Sequence, residues 1–210
     1  LVTGAATGEQ IAHAMANRAE HITAIEPNTE LTALLRNELA AENGNLFKQK
    51  KLTLHGVEAR SWLNRDTAQY DLILLPEVSS FGGNAGVQAM REQYDMTVEA
   101  FVAMLQKLKP GGVLAVSCWL DYPLRYPLKL MATFVEALQT TGIHNPTEHV
   151  VAIRSWGNLT FAVKILPFSV AEVDSIRAFC GRMAFDPALL PGVSSSERQQ
   201  FNQMQDSRLF

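Results

Sequence analysis

Apolar positions along the chain follow two alternating rhythms. Short runs dense in apolar and β-branched residues occur at 1–3, 22–26, 51–55, 71–75 and 113–119, each the length of a buried strand. Between them, apolar residues return every three or four positions, the period of a helix with one buried stripe. Leu31, Leu34, Leu35 and Leu39 follow Asn28, and Val98, Phe101, Val102 and Leu105 follow Thr97, both residues suited to cap a helix start. A third stripe, Met131, Phe134, Val135 and Leu138, lies between the Pro-containing loop 122–127 and the break at Thr141-Gly142. Such alternation predicts βαβ units and a parallel sheet.

The rhythm changes after residue 148. Runs 149–154 and 159–165 are both strand-like, and only Ser155, Trp156, Gly157 and Asn158 separate them. So short a link can join only antiparallel neighbours. The expected fold is therefore α/β and Rossmann-like: a doubly wound, mostly parallel seven-stranded sheet that ends in an antiparallel hairpin. Ser169 and Glu172 form a capping box that opens a last helix through Val173, Ile176 and Cys180. From Phe185 the chain is rich in Pro, Ser, Gln and Asn and loses its period. The domain is expected to span 1–184, with 185–210 an ordered tail or linker. Leu1 is not a start methionine, so further chain, and with it further domains, is expected upstream.

Composition narrows the function. A length of 210 residues suits one α/β domain. With 18 basic and 21 acidic residues the net charge is -3, so there is no broad positive field to hold nucleic acid or an anionic membrane. A small-molecule partner is expected. Cys118 and Cys180 are far apart, with no CxxC or Cys/His spacing; this argues against a disulfide framework or a metal site and for a cytoplasmic setting. No apolar run approaches the roughly 20 residues that span a bilayer.

The candidate chemistry begins where the first strand runs into Gly4-Ala5-Ala6-Thr7-Gly8 and then a helix. A Gly-rich strand-to-helix turn brings backbone N-H groups and a helix N-terminus close to a ligand. It can equally be a tight turn that only packs helix on strand. Glu26 ends the second strand about 20 residues on, where a carboxylate accepts both hydroxyls of a ribose; the alternative is an acid at the start of the next helix. Glu58, leaving the third strand in His55-Gly-Val-Glu-Ala-Arg, is either an acceptor for an adenine amino group or a helix-capping acid. A dinucleotide needs bare backbone at the middle of the turn for its pyrophosphate, and Ala6 stands there. The loop has no Lys or Arg, and Glu26 and Glu58 give an acidic lining that suits a cation. A sulfonium nucleoside ranks above a nicotinamide dinucleotide on these grounds.

Several stretches together resemble one family. Leu1-Val-Thr-Gly-Ala-Ala-Thr-Gly, Ala24-Ile-Glu-Pro, Glu58-Ala-Arg-Ser-Trp-Leu, Tyr70-Asp-Leu-Ile-Leu-Leu and Leu108-Lys-Pro-Gly-Gly-Val-Leu are similar, in order and spacing, to the motifs of spermidine synthases and their class I methyltransferase relatives. Tyr94-Asp-Met-Thr-Val-Glu-Ala-Phe resembles the helix start after the active-site loop of spermidine synthases. The resemblance covers residues 1–165 and implies the class I methyltransferase fold, with S-adenosylmethionine or its decarboxylated form as donor. It implies that Gly4, Ala6, Gly8, Glu26, Glu58 and Pro76 line that donor and that Tyr94 belongs to the substrate side.

The family's active-site loop follows the fourth strand and reads here Leu75-Pro-Glu-Val-Ser-Ser-Phe-Gly-Gly. Spermidine synthases carry two aspartates where this chain has Pro76 and Ser79, which leaves Glu77 as the nearby carboxylate. An amine must lose a proton before it attacks carbon, so Glu77 is either that base or a solvated loop acid. The segment Asp121-Tyr-Pro-Leu-Arg-Tyr-Pro lies at the same edge and offers Asp121, Tyr122 or Arg125 to a substrate, or is simply a turn. The three tryptophans and Cys118 are read as packing residues, and the five histidines show no ligand spacing. These features point first to a methyltransferase, then to an aminopropyltransferase with Glu77 as base, and third to a non-catalytic nucleoside-binding module of a larger protein. The acceptor is expected to be a small molecule, an amine among the candidates, and a homodimer is compatible with the reading.

Overall fold

The computed structural model describes residues 1–5, 7–78, 94–121, 123–194 and 196. Among these the elements run β1 (Val2–Thr3), α1 (Glu9–Ala16), β2 (Ile22–Ile25), α2 (Thr29–Arg36), β3 (Leu52–His55), α3 (Ala59–Arg65), β4 (Tyr70–Leu75), α4 (Val98–Gln106) and β5 (Leu108–Trp119). They continue with α5 (Tyr126–Thr140), β6 (Val150–Arg154), β7 (Asn158–Val163), α6 (Val170–Met183) and β8 (Asp186–Leu189). The sheet order is β3-β2-β1-β4-β5-β7-β6-β8. Strands β1 to β5 pair in parallel, whereas β7 runs antiparallel to both β5 and β6. Sheet order reverses between β1 and β4, and the crevice outside their carboxyl ends is where ligands bind on such sheets.

Pleating divides the core. Leu1 and Ile25 pack into one cluster with Phe101, Phe134 and Phe161, while their neighbours Val2 and Ala24 pack into another with Ile11 and Phe47. Successive strand residues point to opposite faces, so both faces of the sheet are covered. At the far end Val151 leaves the first cluster's face and joins Val173, Leu190 and Val193 beneath α6.

The expected caps form: Asn28 accepts from the Leu31 amide, Thr97 from the Ala100 amide, and the Ser169/Glu172 capping box is complete. Three details differ from the sequence reading. Helix α2 stops at Arg36, so Leu39 falls beyond it and, like Leu34, stays more than a third exposed. Strand β5 starts at Leu108 because a register shift opposite Tyr70 and Leu72 absorbs the Lys-Pro-Gly-Gly stretch. The sheet has eight strands rather than seven. Asp186–Leu189, in the segment expected as tail or linker, pairs antiparallel with β6, and the Arg154–Asp186 ion pair at 2.7 Å ties the two together. Periodicity missed this strand because it is short and begins Asp-Pro.

Lys164, just past β7, has a side chain only 4% exposed, and its ammonium pairs with Glu172 of the capping box. That hydrogen bond, helped by the Ser169 amide, holds the Glu172 carboxyl at about 2. A depressed carboxylate stabilises the fold above its unfolded value and loses that contribution as pH falls through the folded one. Thermal stability should therefore drop between about pH 4.5 and about pH 2. Glu172→Gln should flatten that part of the curve and cost about 1 kcal/mol near neutrality, because the buried Lys164 ammonium loses a charged partner that is itself 42% exposed and partly screened by water. Unfolding midpoints across this pH range check both statements, and parallel curves for the two proteins would refute them.

Both cysteines are buried. Burial, with the charge of Asp121 adding to it, pushes the Cys118 thiol up to about 12, and burial raises Cys180 as well. Since the thiolate is the reactive form, neither should react with a thiol reagent near neutral pH until the chain is unfolded. Labelling of Cys118 in the native protein within minutes would show that β5 is not packed as described.

Candidate functional site

Five strand exits meet along one edge of the sheet. Gly4 follows β1 with φ 60, a left-handed conformation, and a Cβ placed there would meet nothing within 4 Å. Open space beside a backbone turn at the switch point fits close approach by a ligand. Gly8 has a different reason to be glycine. It caps α1 with φ 91, and a Cβ there would come within 2.8 Å of Leu46 and 2.9 Å of Phe47. The packing alternative accounts for Gly8, and the ligand reading is best carried by Gly4. Ala6 lies outside the described residues, so the argument from the middle position rests on sequence.

Glu26 is the first residue after β2 and is only 7% exposed. Its Oε1 accepts from the Asn28 amide at 3.0 Å, and its own amide donates to the His55 carbonyl at 3.0 Å. The carboxylate thus braces the entry to α2, where Asn28 itself does the capping. Burying an acid at a strand end is costly unless its oxygens are satisfied, and the Asn28 amide is one partner that meets this need.

Glu58 occupies the N-cap position of α3 with extended backbone, φ -68 and ψ 140, yet its side chain makes no capping bond and is exposed. Capping falls elsewhere. Asp95, from the turn before α4, takes the Arg60 backbone amide in the first turn of α3, and burial raises its carboxyl. A residue 37 positions away in sequence (95 minus 58) relieves Glu58 of that duty, a substitution that local spacing could not reveal. Beside it the His55 and Trp62 rings stack at 3.7 Å and 30°. Tyr94 begins the same turn before α4; only its backbone is described.

Pro76 is half-buried after β4, and Glu77 is exposed. The next residue is held twice: the Val78 amide donates to the Ser117 carbonyl at 3.0 Å, and the Tyr126 hydroxyl donates to the Val78 carbonyl at 2.9 Å. Asp121 is engaged locally, because its two carboxylate oxygens accept from the Arg125 and Tyr126 amides at 3.1 and 3.2 Å and so start α5. Sequence reasoning offered Asp121 to a substrate; the geometry gives its carboxylate a capping task. Tyr126 it passed over, although a tyrosine at a helix start facing the strand-exit edge was visible in the segment. Ser79 and Tyr122 lie outside the described residues.

The edge as a whole offers an open glycine turn, a buried strand-end carboxylate, an exposed rim carboxylate and a loop acid. That set suits a nucleoside with a cationic centre, so the donor's chemistry fits the residues present. Among the described residues no helix is long and apolar enough to cross a membrane.

Comparison with known proteins defines the class. No family model matches the chain. A probable spermidine synthase from Corynebacterium glutamicum superposes with a TM-score of 0.59 at 21% identity, covering 86% of this chain and 62% of that one. Human methyltransferase-like protein 13, in complex with SAH, gives 0.56 at 12% identity over 87% of this chain and 79% of the other. The fold is that shared by spermidine synthases and class I methyltransferases. In sequence the chain is 28% identical over 113 residues to polyamine aminopropyltransferase 2 of Pseudomonas aeruginosa, covering 54% of this chain and 30% of that protein. The chain thus spans under a third of that relative and about three fifths of the spermidine synthase.

Proposed function

We propose that the domain binds S-adenosylmethionine, or its decarboxylated form, across the β1/β4 crevice and transfers an alkyl group from it to a small-molecule acceptor. The observation that carries this is the Glu26 carboxylate, buried and braced at the end of β2 beside the open left-handed turn at Gly4. In this reading the ribose hydroxyls donate to Glu26, the adenine amino group donates to Glu58, and the turn from Gly4 to Gly8 lines the methionine part, with Pro76 alongside. The bound donor supplies an electrophilic carbon on a sulfonium with a neutral leaving thioether. The chain supplies position, which can account for several kcal/mol of such a barrier, within the roughly 7–11 kcal/mol available to well-oriented reactants. The acceptor lone pair forms the new bond to carbon while the carbon-sulfur pair returns to sulfur. An amine acceptor also gives up a proton, and Glu77 is the carboxylate at hand to take it.

Methyl transfer leads, because Pro76 and Ser79 stand where spermidine synthases carry their aspartates. The likeness to polyamine aminopropyltransferase 2 favours aminopropyl transfer as the second reading. A cytoplasmic setting suits either reaction. Calorimetric titration with S-adenosylmethionine, its decarboxylated form, methylthioadenosine and NAD separates the possibilities. Preference for S-adenosylmethionine supports methyl transfer; preference for the decarboxylated donor or methylthioadenosine supports aminopropyl transfer. Tighter binding of NAD than of either donor would sink the proposal, as would no binding at all.

A further inference from the structure

We propose that Tyr126 is a positioning residue for the acceptor side of this site: its hydroxyl pins the exit of β4 and thereby sets where the Glu77 backbone and carboxylate stand. The inference rests on the reading of the edge as a transferase site, but the physical claim about the loop can be tested without it.

Five hydrogen bonds form a chain of support. The Asp121 carboxylate accepts the amides of Arg125 and Tyr126 and fixes the first turn of α5. Tyr126 is half-buried in that turn, packed against the main core cluster, with its hydroxyl 2.9 Å from the Val78 carbonyl oxygen. The Val78 amide is tied to the Ser117 carbonyl of β5. The Ser117 hydroxyl in turn meets Thr160 Oγ1 of β7 at 2.9 Å. Both backbone groups of Val78 are therefore engaged one residue after Glu77, beyond the last ladder pair of β4, Leu75 with Val116. A strand that has left its ladder normally loses order within a residue or two, since exit loops carry few backbone partners. Here a side chain from a different helix extends that order past Glu77. The donor remains available at all working pH values, because burial, with Cys118 adding to it, pushes the Tyr126 phenol up to about 12. A base that must meet an acceptor proton at hydrogen-bond distance needs its backbone held, and displacement by about 1 Å can cost about 100-fold in rate.

The test uses Tyr126→Phe in the 210-residue chain, which removes the hydroxyl and keeps the ring. Amide hydrogen exchange of the peptide covering 76–78 should rise about tenfold, the equivalent of one lost hydrogen bond, while exchange within α5 and affinity for S-adenosylmethionine stay as in the wild type. With 1,4-diaminobutane as acceptor probe and the preferred donor, kcat should fall and the acceptor KM rise while the donor KM holds. Unchanged exchange at 76–78 overturns the proposal, and so does a loss of turnover with exchange unchanged, which would make the hydroxyl a direct participant. Higher exchange that leaves a measurable wild-type turnover untouched also overturns it. Absence of donor binding by the wild type sinks the transferase reading instead, and leaves the exchange result to judge the latch on its own.

Discussion

Glu26→Ala should weaken binding of S-adenosylmethionine by about 100-fold, since two hydrogen bonds from a ribose diol to a carboxylate contribute about 1.5 kcal/mol each or more. The same substitution removes the acceptor of the Asn28 amide, so a small loss of stability at the start of α2, about 1 kcal/mol, should accompany it. Glu26→Gln separates the two effects. It keeps one carbonyl oxygen for Asn28 and loses the charge, so stability should recover while affinity stays about tenfold below wild type. Titration calorimetry reads affinity and thermal unfolding reads the brace. Wild-type affinity in Glu26→Gln would mean that the buried carboxylate only shapes the turn, and the ribose assignment would fall.

Phe134→Ala should cost about 3–5 kcal/mol, the range for deleting a fully buried aromatic ring. Phe134 is 1% exposed, and its ring centroid lies 4.6 Å from that of Phe101 and 5.2 Å from that of Phe161. One side chain therefore joins α5 to α4 and to β7, the strand that makes the sheet mixed. A loss of that size is a large part of the roughly 5–15 kcal/mol that stabilises a typical domain. Urea unfolding followed by circular dichroism measures it, with Phe134→Leu expected to cost less because it fills more of the void. A loss below about 1 kcal/mol for Phe134→Ala would show that this three-ring cluster can collapse around the gap, or is less tight than described.

The architecture was legible in the chain because each element carries its own local signal. Hydrophobic period separates helix from strand, Asn28, Thr97 and the Ser169/Glu172 pair mark helix starts, and a four-residue link between two strands permits only a hairpin. Gly4 and Glu26 were legible as candidates for the same reason: a strand exit has a defined place on a parallel sheet, so position in sequence becomes position on the edge.

Tertiary structure decided what depends on groups distant in sequence. Glu58 read equally as an adenine acceptor or a helix-capping acid, and only the fold shows that Asp95 takes the Arg60 amide and leaves the Glu58 carboxylate without a capping bond. Gly4 and Gly8 looked alike as turn glycines until Leu46 and Phe47 were found against one and nothing against the other. Asp121 proved to serve its own helix, and Tyr126 the loop of a different strand. The eighth strand, too short and proline-bearing to announce itself, exists because β6 offered an unpaired edge. By itself, then, the sequence determined element types, their order and the edge where chemistry would lie, since these follow from backbone preference and period. Which of the residues at that edge are spoken for by neighbours was decided by packing, because partners separated by tens of residues meet only once the sheet is closed.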